Sequence, residues 1–162
     1  MKPAIVWVTL LCLFPLSAAS HPHYFKEVRF SFDRDKDSSH SIVVSHITVP
    51  FNEIAAASLP EGGDWHLGFA KLEIGMEIEV GGETIKPGLY SLKVKREPKS
   101  KWSLFLVPEK EGAEDEETGL DCQVESDLPE EDHLSIEIHP SGSKDDTHVN
   151  LVVRFGPNGL EV

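Results

Sequence analysis

The sequence predicts an all-β protein: an antiparallel β-sandwich, jelly-roll-like, with at most one short helix. Three observations carry this expectation. Apolar residues recur at every second position through most of the chain, the period of a strand with one buried face. Those positions are rich in Val, Ile and aromatic residues, which fit a half-buried pleated surface. Gly and Pro mark several of the breaks between runs, as at Gly75 and Gly81-Gly82, where tight turns need them. Antiparallel sheets with one wet face bury their apolar faces by packing on each other.

Residues 1–20 read as a secretory signal peptide. Lys2 supplies the basic start, and Ala4 to Leu16 is apolar but shorter than the about 20 residues a bilayer span needs. Ser17-Ala18-Ala19-Ser20 offers small residues for cleavage after Ala19 or Ser20. Leu11 before Cys12 does not suit a lipoprotein site. Residues 21–162 then form a single β-sandwich domain. The expected location is exported, periplasmic or extracellular, with no membrane span and a monomeric state.

Each element follows in order. Tyr24 to Phe32 alternates, with Val28, Phe30 and Phe32 on one face. Ser41 to Val49 is a β-branched run. Asn52 can cap a short helical turn from Glu53 to Ser58, which Pro60 stops. Gly68 to Glu79 reads as one or two strands broken near Gly75. Gly81-Gly82 predicts a two-residue hairpin with Ile78 opposite Ile85, since paired glycines supply the positive φ such turns demand. Tyr90, Leu92 and Val94 share a face, as do Trp102, Leu104 and Leu106. Leu134, Ile136 and Ile138 alternate with Ser135, Glu137 and His139, and Val149, Leu151, Val153 and Phe155 close the pattern.

Charge narrows the partners. The formal net charge is −13, and losing residues 1–20 removes only Lys2, giving −14. Such a surface argues against nucleic acid and anionic membranes. Glu109 to Asp132 carries twelve acids against Lys110, a net of −11, and is expected to be an acidic loop. Just before it, Lys86 to Lys101 holds six basic residues. The loop is either solvated beside this basic hairpin or folded over its strand face as a lid or cation sink.

Cys12 leaves with the signal, so Cys122 stands alone and no intramolecular disulfide is expected. Asp121, Glu125 and Asp127 surround it in sequence, and negative neighbours raise a thiol pKa, which predicts an inert side chain.

The Trp65-x-x-Gly68 step, the Val80-Gly81-Gly82 hairpin before Pro87-Gly88-Leu89-Tyr90-Ser91-Leu92, and the Trp102 strand resemble a bacterial family catalogued as domain of unknown function 2911. The resemblance is best over residues 65–108, and His21-Pro22-His23 is similar to a Ser-Pro-His step near the mature start of that family. It implies an exported, mostly β protein without an assigned activity. The chain departs from the commoner pattern at His66, Phe69 and Ala70, where the family usually has an Arg and a polar pair.

Several candidates for chemistry remain. Asp33-Arg34-Asp35-Lys36-Asp37-Ser38 resembles the start of a calcium loop, but Ser38 replaces the Gly and Val44 the bidentate acid, so a polar turn is the expectation. His21, as a terminal residue, could chelate copper with His23, although Pro22 lacks the amide nitrogen such a chelate uses. If Ile138 pairs with Val149, His139 faces His148, and the two could hold zinc or copper with Glu137 or Asp146. Trp65, Tyr90 and Trp102 could form an aromatic platform, with Trp65 and His66 the ligand-binding candidates, although Tyr90 and Trp102 fall on inward faces. No nucleophile elbow, phosphate loop, dinucleotide fingerprint or paired-Cys motif is present.

The expected function is a non-enzymatic, exported binding domain for a small molecule, glycan or protein, with no cofactor. The alternative is a periplasmic or secreted copper- or zinc-binding protein using His21, His23, His139 and His148.

Overall fold

Twelve strands, all paired antiparallel, make up most of the computed structural model, which describes residues 23–32, 40–52, 58–98, 101–110, 116–125, 131–140 and 149–162. In chain order they are β1 (Phe25–Ser31), β2 (Ser41–Ile47), β3 (Asp64–Ile74), β4 (Ile78–Val80), β5 (Glu83–Ile85) and β6 (Gly88–Arg96). Then come β7 (Trp102–Pro108), β8 (Thr118–Asp121), β9 (Gln123–Glu125), β10 (Glu131–Pro140), β11 (Val149–Gly156) and β12 (Asn158–Glu161). The all-β expectation holds. Residues 53–57 of the expected helical turn lie outside the described residues. Among the described residues no helix is long and apolar enough to cross a membrane.

The first sheet runs β1-β2-β3-β6-β7-β8, an up-and-down order interrupted only by the β4-β5 hairpin. The second runs β10-β11-β12-β9, a Greek key read backwards, the unit from which jelly rolls are built. Two seams join the sheets. At one, the chain beyond β2 pairs with β10: the Phe51 N–H donates to the Asp132 carbonyl at 2.7 Å, and the Leu134 N–H to Val49 at 2.9 Å. At the other, Cys122 alone links β8 to β9 and so carries the chain from one sheet to the next.

Alternation places the core as the sequence predicts. Val44, Leu72, Leu92 and Leu106 from the first sheet and Leu134, Ile136, Leu151 and Val153 from the second are buried in one cluster. Each such side chain stabilises the fold by about 1.5–3 kcal/mol. Ile78 does pair with Ile85, and Gly81 and Gly82 have φ of 57° and 82°. The Tyr90 hydroxyl donates to the Lys86 carbonyl at 2.8 Å. This bond from the start of β6 back to the preceding corner gives the Pro87-Gly88-Leu89-Tyr90 run a structural role, as in the tyrosine corners of other sandwiches.

Three features differ from expectation. First, the acidic stretch is not a loop throughout: it contains β8 and β9, because Leu120, Cys122 and Val124 alternate beneath its charge and Leu120 is buried. Second, β12 forms at the carboxyl end and buries part of Leu160. Third, β3 starts at Asp64 and carries a wide bulge. His66 pairs with Lys93 and Lys71 with Ser91, so residues 67–70 are matched by Leu92 alone. Gly68 has φ 57°, and a Cβ there would overlap the Ile47 carbonyl, so only glycine fits. Phe69 follows with φ 56° and is 78% exposed.

Candidate functional site

At the end of the sandwich where β3 begins, the two sheets do not close. Between them lies an apolar slot of about 420 Å³. Its blind end is formed by Val94 and Val153, one from each sheet and 0% and 3% exposed. Trp65, Trp102, Phe155 and Phe51 wall it, and Asn52 and Val124 stand exposed at its mouth. Apart from the indole N–H groups of Trp65 and Trp102, Asn52 carries the only polar side-chain group among the described lining residues, and none of these is charged.

Local structure explains the opening. Trp65 sits on an inward-facing position of β3 opposite the small Val94 of β6, and Trp102 on one of β7 opposite Arg96. Phe155 meets Trp65 across the sheets, with ring centroids 4.6 Å apart and planes at 41°. Phe51 meets the other side of this pair, 4.9 Å from Phe155 and nearly perpendicular to it. Phe51 is positioned by the seam, since its N–H is bound to Asp132 and Pro50 bridges to His133. The Leu59 wall is held by Arg96, whose Nη1 donates to the Leu59 carbonyl at 2.8 Å.

The structure brings together two of the three aromatic candidates. Trp65 and Trp102 share the slot, half-buried, whereas Tyr90 is a core residue bonded to Lys86. His66 is exposed and lies on the opposite face of β3 from Trp65, because successive side chains of a strand alternate. It therefore does not line the slot.

The histidine pairing expected at the β10–β11 turn is corrected. Ile138 pairs with Leu151 and His139 with Asn150, a register two residues away from the one expected. Pro140 pairs with Val149, so β10 keeps its ladder to its end. His139 is bound by Glu137 at 3.0 Å, and His23 lies 3.2 Å from the Thr48 carbonyl. His21 and His148 lie outside the described residues, as does the calcium-like stretch 33–38. Among the described residues no group of three His, Cys, Asp or Glu could hold a metal. Cys122 is free, and burial pushes its thiol pKa up to about 11.

The acidic and basic stretches do meet. On the outer face of the first sheet, Glu109 accepts from Lys71 and Ser91, each at 2.5 Å. Lys93, its side chain 12% exposed, lies between Asp64 at 3.3 Å and Glu117. Partial burial works against the charge on Lys93, but Glu117 and Asp64 outweigh it and raise its pKa. Residues at both ends of the stretch 109–117 thus fold onto the basic strands, while residues 111–115 lie outside the described residues.

Phe51, Phe155, Val124 and Leu160 also line the slot, and nothing in the sequence marks them as site residues. Each reads as an ordinary core position of a strand or its flank. Only a known sheet topology shows that they converge.

Comparison with known proteins adds no relative: no family model, no curated protein and no solved structure matches the chain.

Proposed function

We propose that this chain is an exported, non-enzymatic β-sandwich that binds a small, uncharged, apolar molecule in the slot between its sheets. One observation carries the reading: a cavity of about 420 Å³ walled by four aromatic side chains, with one amide at its mouth. Natural ligand sites are concave and mostly apolar, with few polar groups to fix orientation. A charged ligand would lose its hydration without gaining a partner on these walls. Export follows from residues 1–20 as read from the sequence.

The chain contains three tryptophans, Trp7, Trp65 and Trp102. Once residues 1–20 are removed, or with Trp7→Phe in the full chain, every remaining indole lines the slot, so intrinsic fluorescence reports on it directly. Titration with N-phenyl-1-naphthylamine, a neutral apolar probe, should quench this emission saturably while probe emission rises. Unchanged tryptophan emission at saturating probe would refute the site.

A further inference from the structure

The slot has a particular shape. Its blind end is made of two short side chains, Val94 and Val153, while its sides are aromatic. Phe51, Phe155 and Trp65 form one continuous wall, with 4.9 and 4.6 Å between successive ring centroids. These rings are attached to opposed sheets and to the seam, so their main chains are held in place and the wall offers flat aromatic faces to a guest. A planar ring meets such walls without losing rotamers, and aromatic pairs add about 0.5–1.5 kcal/mol beyond buried area. An acyl chain of equal volume loses torsional freedom on entry.

What keeps the slot open lies behind it. Gly156 is buried with φ 65°, and a Cβ at this position would lie 2.5, 2.6 and 2.8 Å from three carbon atoms of the Phe51 ring. Phe51 therefore rests against bare backbone. Its own main chain is tied to Asp132 at 2.7 Å, so a displaced ring must swing about its side-chain bonds. The space open to it there is the slot.

We propose that the slot selects uncharged aromatic ring compounds over acyl chains of equal volume, and that the seat of Phe51 on Gly156 sets this selectivity. The inference rests on the slot being the binding site. Gly156 is a positioning residue, acting through Phe51.

The test measures two ligands on the full chain carrying Trp7→Phe: N-phenyl-1-naphthylamine directly, and a methyl ester of a saturated fatty acid of matched volume by competition. The parent should prefer the ring probe by about tenfold, as its stacking on the aromatic walls implies. Gly156→Ala should weaken ring binding by at least about tenfold, because a displaced Phe51 fills part of the slot and no longer stacks on the probe. Phe51→Ala should bring the two affinities close to each other, and Phe51→Ala with Gly156→Ala should bind like Phe51→Ala alone. That last result separates the ring clash from backbone strain at position 156, because the strain persists in the double variant. Should Gly156→Ala fail to fold, Phe51→Ala decides the role of the Phe51 wall, and the double variant, in which the clash is gone, decides whether position 156 acts only through Phe51.

Equal affinities in the parent, or an unchanged preference in Phe51→Ala, would overturn the selectivity even with both ligands in the slot. Failure of the site itself looks different: neither ligand perturbs tryptophan emission, and Trp65→Ala changes nothing.

Discussion

Trp65 of one sheet and Phe155 of the other meet with ring centroids 4.6 Å apart, and this pair defines the side wall of the slot. It links two properties, stability and binding. Trp65→Ala should cost about 2–3 kcal/mol in urea unfolding, under the full value for a buried tryptophan because Trp65 is half-buried. It should also remove probe binding. His66→Ala, one residue on and facing outward, should stay within about 0.5 kcal/mol and bind the probe normally. Equal effects of the two substitutions would contradict the placement.

Tyr90→Phe should remove the bond to the Lys86 carbonyl and lower stability by about 1 kcal/mol. Probe affinity should not change, because Tyr90 is outside the slot. A thermal melt beside a binding curve checks both.

The clasp on the outer face should be salt-sensitive. Lys93→Met removes the partner of Asp64 and Glu117. Both carboxylates are partly exposed, so the expected loss is about 1 kcal/mol rather than the value of a buried pair. Raising NaCl should narrow the gap between Lys93→Met and the parent chain, as screening weakens what the variant already lacks.

His46 predicts an acid limit. It is 1% exposed, and neither ring nitrogen has a partner in hydrogen-bonding geometry. Burial, with Lys26 adding repulsion, lowers its pKa below the ordinary 6.5, although the Leu134 backbone pulls slightly the other way. A base with a depressed folded pKa gives stability that is complete above 6.5 and lost as pH falls through the folded value. Glu109 and Glu137 are held below their ordinary 4.5, Glu109 chiefly by Lys71 and Glu137 by His139, so their losses begin only on falling below 4.5. Unfolding free energies at pH 7.5, 5.5 and 4 should fall in two stages, and His46→Leu should erase the first.

The strands were legible because each buries one face. Val44, Leu72, Leu92 and Ile136 announce themselves by alternation, and Gly81-Gly82 fixes its own turn. The β8–β9 crossing was hidden because its charge masks the alternation of Leu120, Cys122 and Val124. The β10–β11 register differs from the expected one because the alternation of both strands is the same in registers two residues apart. Half the site was visible in Trp65 and Trp102. Phe51 and Phe155 join it only through the Asp132 seam and the inter-sheet packing, both set by residues far away in sequence.

The most direct test of the slot is the affinity of N-phenyl-1-naphthylamine for the full chain carrying Trp7→Phe, read from quenching of Trp65 and Trp102. A dissociation constant of about 10–200 μM or tighter is predicted, the range that roughly 0.3–0.4 kcal/mol per non-hydrogen atom gives a ligand of this size. Trp65→Ala and Phe155→Ala should each abolish it. Probe binding that leaves tryptophan emission untouched, or survives both substitutions, would contradict the account.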